Sequence, residues 1–274
     1  MTVRPLLLES GNFTPPSRTP WGGRRIGALK GEVGGGPVGE SWEVSVEPDF
    51  PSRIEGGGLL GDHLAKEPTA YLGREAAAGR TSTALLVKLL DAAAPLSLQI
   101  HPTDDYPALG ANESGKPESW YIVAHDEGAG LYLGFREGVS REAVEECLAK
   151  GRDLRPLLHF VPVEVGDFFA IEAGTPHAVG GGVFLVEPQH VLPGRRGVTY
   201  RYWDWGRRYD PSGREDPTGS PRDLHVDHAL NVTRWDPPGG PSLLRMIHAG
   251  LGPANPLGPA RSRVLAGPGG VASE

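Results

Sequence analysis

In a β-strand alternate side chains share a face. In Pro95-Leu96-Ser97-Leu98-Gln99-Ile100-His101-Pro102 this sets Ser97, Gln99 and His101 on one side and Leu96, Leu98 and Ile100 on the other. A Gln and a His two residues apart can reach a common point, which is what a metal held inside a β-barrel requires. Taken alone, the octapeptide fits a half-buried strand with a polar outer face equally well. Three further pieces add to it: Glu118, which opens a strand after Gly115-Lys116-Pro117; His177, which ends a strand and turn begun at Gly166; and Arg201 in Thr199-Tyr200-Arg201. Gln99, His101, Glu118 and His177 make a mixed nitrogen and oxygen donor set for one divalent metal per chain. Zn²⁺ is the leading candidate, with Mn²⁺, Fe²⁺, Co²⁺ and Ni²⁺ as alternatives. The other seven histidines, His63, His125, His159, His190, His225, His228 and His248, have no comparable context and are read as structural.

Two more titratable residues stand out. Lys88 interrupts the apolar run Leu85–Ala92, where a buried ammonium is costly unless paired or used. A structural ion pair is the favoured reading, a substrate contact the other. Glu187, at the end of the strand Val186-Glu187-Pro188-Gln189, is a candidate for moving a proton and equally for a salt bridge. Cys147 falls on an apolar helical stripe with no cationic neighbour in sequence and is assigned to packing.

The elements that must hold these residues follow from composition and period. The 274 residues, 38% hydrophobic, suffice for a buried core, and 40 Gly with 27 Pro favour short strands and many turns, hence an all-β architecture. A net charge of -7 argues against a general nucleic-acid surface, so any anion site must be local. One cysteine excludes an internal disulfide framework and fits a reducing compartment. The N-terminal apolar run is too short for a signal peptide and no stretch of about 18 apolar residues occurs, so a soluble, cytoplasmic protein with no membrane partner is expected.

Alternation predicts strands at 40–46, 85–92, 96–101 and 118–123, with Glu118, Trp120 and Ile122 on one face. Short helices are predicted over 69–80 and 138–151, the latter N-capped by Ser140 and closed by Gly151. Residues 103–117 form a polar loop able to arch over a cavity, and Gly166, Gly174 and Gly180-Gly181-Gly182 mark tight turns between short strands. Residues 1–249 are expected as one metal-binding catalytic unit, with room for two β subdomains. Residues 250–274 are expected as a Gly/Pro-rich, loosely held tail.

The stretch from Gly166 to His177 resembles the second motif of the cupin superfamily, in which a glycine opens a strand and the metal-binding His follows a Pro-x-Gly turn, with Glu172 here in place of the Pro. Gln99-x-His101 followed by Glu118 resembles the first cupin motif, with Gln for its first His. Those departures are what mannose-6-phosphate isomerases look like. Trp21-Gly22-Gly23, Gly39-Glu40-Ser41-Trp42-Glu43-Val44-Ser45, Leu96 to Pro102, Gly115 to Tyr121, Ala173 to Ala178 and Thr199 to Trp205 are similar to that family's signatures, in its order. By length the chain is similar to the shorter bacterial branch.

The resemblance implies a cupin-type β-barrel, or jelly roll, with a few short helices. It also implies aldose–ketose isomerisation of mannose 6-phosphate and fructose 6-phosphate. It maps the metal ligands onto Gln99, His101, Glu118 and His177, substrate contacts onto Ser97, Lys88 and Lys116, and the catalytic arginine onto Arg201. Glu187, Lys116 and Arg201 are then the candidates for the proton transfer between C1 and C2 and for stabilising its charge. Two departures bear on specificity. Leu192-Pro193-Gly194-Arg195-Arg196-Gly197-Val198 replaces the usual Ser-Asp pair and could alter which sugar phosphate fits, and the C-terminal β region is shortened. A non-catalytic sugar-phosphate-binding cupin is the rival reading, and an iron-dependent oxygenase a more distant one.

Overall fold

The two-residue period around Gln99 builds two antiparallel sheets. The computed structural model describes residues 5–32, 35–235, 248–249, 251–257, 260–267 and 270–271. Its first strands are β1 (Glu40–Val44), β2 (Leu85–Ala92), β3 (Leu98–Ile100), β4 (Glu113–Ser114), β5 (Glu118–His125), β6 (Gly130–Phe135) and β7 (Leu158–Pro162). Then come β8 (Phe168–Ile171), β9 (His177–Val179), β10 (Val183–His190), β11 (Arg196–Gly197), β12 (Tyr200–Trp203) and β13 (His248–Ala249). Among the described residues the short α-helices are α1 (Arg25–Leu29), α2 (Leu60–Lys66), α3 (Pro68–Leu72), α4 (Arg74–Ala77), α5 (Arg141–Ala149) and α6 (Val226–Val232). One sheet runs β1-β2-β10-β5-β8-β13 and the other β12-β3-β9-β6-β7, the two-layer arrangement expected of a jelly roll.

The apolar faces close two main cores. Leu90, Trp120, Ile122, Phe169, Ile171 and Leu185 of the larger sheet meet Leu131, Leu133 and Val179 of the smaller one between the layers. Leu98, Ile100, Tyr200 and Tyr202 point the opposite way, onto Val144 of α5 and Ala229 and Leu230 of α6. Helices therefore cover the outside of the smaller sheet, and the polar face of β3 is left pointing inward. Leu96 departs from the expected alternation: it precedes β3, where the chain is not yet a strand, and packs with the inner core instead of with Leu98 and Ile100.

Trp21-Gly22-Gly23 anchors the N-terminal segment. Trp21 is buried in the inner core, and Gly22 and Gly23 bridge to Ala92 and Val38. A Cβ on Gly22 would lie 2.5 Å from Gly39 N, and one on Gly23 2.3 Å from an Asp91 carboxylate oxygen, so neither position has room for a side chain. Asp91 in turn accepts the Arg25 amide at 2.6 Å.

Other expectations fare variously. The predicted helix over 69–80 is broken into α3 and α4 by Gly73, whose φ of 50° no helix interior adopts. The 138–151 helix forms as α5, with the Ser140 hydroxyl accepting from the Ala143 amide. Strand β2 is not buried on both faces: Leu85 is exposed and Val87 and Leu89 are half-buried. In the Gly/Pro-rich 250–274 segment, 251–257, 260–267 and 270–271 run as antiparallel strands β14 (Leu251–Leu257), β15 (Ala260–Gly267) and β16 (Gly270–Val271). The rest of that segment lies outside the described residues. Among the described residues no helix is long and apolar enough to cross a membrane.

Candidate metal centre and substrate cavity

Antiparallel pairing places directly opposed residues on the same face, and two such rows meet inside the barrel. On the smaller sheet Arg201, Gln99 and His177 are paired in line across β12, β3 and β9. On the larger one Trp42, Lys88 and Glu187 are in line across β1, β2 and β10, and Gln189 opposes Glu118 on β5. His101, just beyond β3, carries the inward face one step further.

His101, Glu118 and His177 converge, all buried, with one ligand atom from each lying within 4.8 Å of the others. His101 Nε2 is 3.1 Å from Glu118 Oε2, and His177 Nε2 is 3.3 Å from Glu118 Oε1. Each imidazole donates its Nδ1–H to a backbone carbonyl, His101 to Val198 at 3.0 Å and His177 to Thr175 at 2.8 Å. This fixes the tautomer and turns both Nε2 lone pairs toward the centre. His101 Nε2, His177 Nε2 and Glu118 Oε1 have no hydrogen-bond partner. Three inward lone pairs left bare in a buried pocket fit a bound cation and little else. Glu118 Oε2 also accepts from Gln189 Nε2 at 2.6 Å, an outer contact that orients the carboxylate.

The electrostatics agree. Burial together with the Lys116 charge pulls His101 down to about 3, and burial lowers His177, so both rings are neutral donors at physiological pH. Burial would raise the Glu118 carboxyl, but attraction to positive charge on His101 and His177 and to Lys116 outweighs it and lowers the group below the ordinary carboxylate range.

Beside this cluster opens a cavity of ≈ 350 Å³. Its buried floor carries Lys88, Lys116, Glu187 and Gln189, and its wall Ser97, Gln99, Thr199 and Arg201. Lys88 Nζ is 3.7 Å from Glu187 Oε2 and 4.3 Å above the Trp42 ring. Burial would lower its pKa, but Glu40 and Glu187 raise it instead. Lys88 thus makes the ion pair anticipated for it and lines the cavity as well. Lys116 donates to Thr199 Oγ1 at 3.0 Å, and burial with the nearby Lys88 charge lowers its pKa. Glu187 accepts from Trp120 Nε1 at 3.1 Å, and burial plus the charge of Glu118 raise its carboxyl to about 8. Arg201 donates to Ser97 Oγ at 3.1 Å and to the Asp223 carbonyl at 2.6 Å. Burial and the neighbouring Arg222 bring its pKa to about 10.

These contacts belong to one family. The chain matches the model described as "Phosphomannose isomerase type I, catalytic domain" over residues 32–128. It is 34% identical over 234 residues to the mannose-6-phosphate isomerase of Streptococcus mutans, covering 84% of this chain and 68% of that one. It is also 30% identical over 236 residues to ManA of Bacillus subtilis, covering 85% and 69%. This chain belongs to the mannose-6-phosphate isomerase family. The crystal structure of the Bacillus subtilis mannose 6-phosphate isomerase superposes with a TM-score of 0.73 at 26% identity, covering 95% of this chain and 76% of that one. The chain therefore spans about two thirds of the length of its curated relatives in the family.

Several cavity residues were not singled out from the sequence. Glu40 lies within a quoted family signature, yet no role was given to it; the structure sets it on the cavity wall, with Trp42 Nε1 donating to it at 2.9 Å. Glu47, Arg18 and Arg222 also line the cavity. In the 192–198 segment, which could alter which sugar phosphate fits, neither arginine lines the cavity. Arg196 makes a two-bond pair with Asp49 and Arg195 donates to the Glu113 carbonyl, both away from the cavity. Only Gly197 of that segment lines it, where an added Cβ would meet Lys116 Cδ at 2.7 Å. Cys147 is half-buried on α5, its thiol donating to the Asp153 carbonyl at 3.4 Å, and it packs with the outer core.

Proposed function

We propose that the chain interconverts mannose 6-phosphate and fructose 6-phosphate, with residues 1–249 as the catalytic unit. The observation that carries this is the junction, in a member of this family, of three bare metal-facing lone pairs with a cavity that holds a raised-pKa carboxyl among cationic side chains.

His101, Glu118 and His177 would hold one divalent ion, and Gln99 is proposed as a fourth protein ligand because it is paired directly with His177. Two imidazole nitrogens with carboxylate and amide oxygens suit Zn²⁺. When bound, such an ion polarises a substrate oxygen and stabilises negative charge developing on it.

The chain's own groups supply the rest. Glu187 takes the proton from C2 of the aldose and returns it to C1 while the hydroxyl proton of O2 passes to O1, giving the ketose through an enediol. The reverse reaction uses the same carboxyl. A base with a pKa near the working pH is the efficient one for this task, and burial has placed Glu187 in that range. The Trp120 indole N–H and the Lys88 ammonium fix the carboxyl from two sides. Lys116 supplies positive charge to the enediolate, and Ser97 holds Arg201 against the cavity.

A coupled assay of the purified protein with mannose 6-phosphate, with and without added Zn²⁺, tests the reading. Metal-dependent production of fructose 6-phosphate is expected. A protein that binds metal and mannose 6-phosphate yet forms no product is the non-catalytic binder.

A further inference from the structure

The cavity is electrostatically divided. Its interior is a lattice of alternating charge, Lys88 and Lys116 among Glu40, Glu47 and Glu187, where a dianion would meet three carboxyl groups and two ammonium groups. Its rim is different. Arg18 is exposed, while Arg201 and Arg222 are half-buried, and all three line the same cavity.

Of the three guanidinium groups only Arg222 has, among the described residues, a carboxylate within ion-pair distance, Asp204 at 3.9 Å. Arg18 lies over the Phe50 and Trp42 rings, at 4.8 and 5.6 Å from their centroids, a stacking that holds the flat face and leaves the N–H edge free. Arg201 spends its side-chain hydrogen bonds on neutral oxygens, those of Ser97 and the Asp223 carbonyl. Arg222 donates through Nη2 to the Arg18 carbonyl at 3.4 Å. Its Nη1 is buried without a hydrogen-bond partner, 3.9 Å from an Asp204 carboxylate whose other oxygen is already held by Arg207.

The chain segment from 222 to 225 is bound to Arg201 three times over. Asp223 accepts its guanidinium, the His225 ring accepts its backbone N–H at 3.2 Å, and the His225 amide donates to its carbonyl at 2.8 Å. That strap sets Arg222 beside Arg201 although the two like charges repel. Like-charged guanidinium groups fixed together with a single long ion pair between them, that of Arg222 to Asp204, keep a net positive charge for an anion, and planar N–H forks suit a phosphate.

We propose that Arg18 and Arg222, together with Arg201, form the clamp that takes the phosphate group of the sugar at the cavity rim, leaving Lys116 and Lys88 to face the sugar carbons at the floor. This rests on the sugar-phosphate reading above. The substrate is thereby oriented along β3, phosphate toward the Ser97 end and carbonyl carbons toward His101.

The test uses the full chain and inorganic phosphate as probe. Binding is followed by the fluorescence of Trp42, against which Arg18 is stacked, and by competitive inhibition of turnover. Arg18→Gln and Arg222→Gln are each expected to weaken phosphate binding about tenfold or more, the scale of one lost charge-assisted hydrogen bond to an anion, with unchanged melting temperature. Arg222→Lys should restore part of the loss. If both glutamine variants bind phosphate as the wild type does, the clamp is overturned. If Arg222→Gln fails to fold, the exposed Arg18→Gln alone decides by the same criterion. The two readings separate cleanly. Phosphate binding lost in the variants of a protein that never isomerises mannose 6-phosphate keeps the clamp and rejects the isomerase. Normal isomerisation with phosphate inhibition untouched by either change rejects the clamp and keeps the isomerase.

Discussion

Replacing Glu187 by Gln separates its chemical part from its structural one. The side chains are the same size, and a Gln carbonyl still accepts from Trp120 Nε1, so the cavity keeps its shape. With the carboxyl raised to about 8, roughly one molecule in eleven carries Glu187 ionised at pH 7, so little of the Lys88–Glu187 attraction is present at neutrality. Lys88 also retains Glu40 as a counter-charge. The stability loss should therefore stay under ~1 kcal/mol, a melting shift of about 2–4 °C or less for a chain of this size. Losing a proton-transfer group lowers kcat by about 10²–10⁴, equivalent to roughly 3–5 kcal/mol of barrier. Activity in the wild type needs the ionised form, so kcat/KM should rise with pH on an acid limb. One cause of the raised pKa is the Glu118 charge, which a bound cation offsets. The midpoint is thus expected between the ordinary 4.5 and about 8. The assay is a pH profile of wild type and variant with coupled detection of fructose 6-phosphate, beside a thermal melt. A variant that keeps kcat within about threefold of wild type, or that keeps the same acid limb, refutes the assignment of Glu187 as the proton carrier.

Three further outcomes are expected. His177→Ala should weaken metal binding by more than the about 10–100-fold that loss of an outer-shell partner costs, read by metal analysis after dialysis, with the sheets intact by circular dichroism; a full equivalent of retained metal would rule out the site. Isomerisation in D₂O should place deuterium on the carbon that receives the proton, detected by mass spectrometry of the product, because a carboxyl base exchanges with solvent and an internal hydride shift does not. Gly22→Ala should destabilise the fold by about 1–3 kcal/mol, since the new Cβ lies 2.5 Å from the Gly39 backbone rather than from a movable side chain; an unchanged melting temperature would show that the N-terminal segment yields freely.

The candidate His101, Glu118 and His177 cluster was legible because a strand's period is local: Gln99 and His101 declare a common face within eight residues, Glu118 opens a strand, and His177 follows a strand and turn. What closes the rim was not. Arg18 and Arg222 sit in irregular segments more than 200 positions apart and meet only through tertiary packing, so no period or spacing marks them. Leu96 was misplaced because alternation was carried back before the start of β3. The break between α3 and α4 turns on one glycine at positive φ, which composition does not announce.

The cavity's charge has a kinetic consequence. Five basic side chains line it against three acidic ones, on a molecule whose formal net charge is -7. An approaching dianion is repelled at long range by the protein as a whole and drawn in only near the rim. At physiological ionic strength the Debye length is about 8 Å, so the distant repulsion is screened while the attraction inside a low-dielectric pocket largely survives. Salt therefore acts on capture in two opposed ways. Moderate ionic strength speeds the encounter by hiding the outer surface, and only higher concentrations, where ions compete within the pocket itself, slow it. The encounter rate for a phosphorylated sugar accordingly passes through a maximum with salt, whereas an uncharged sugar of the same shape meets the rim at a rate nearly independent of it.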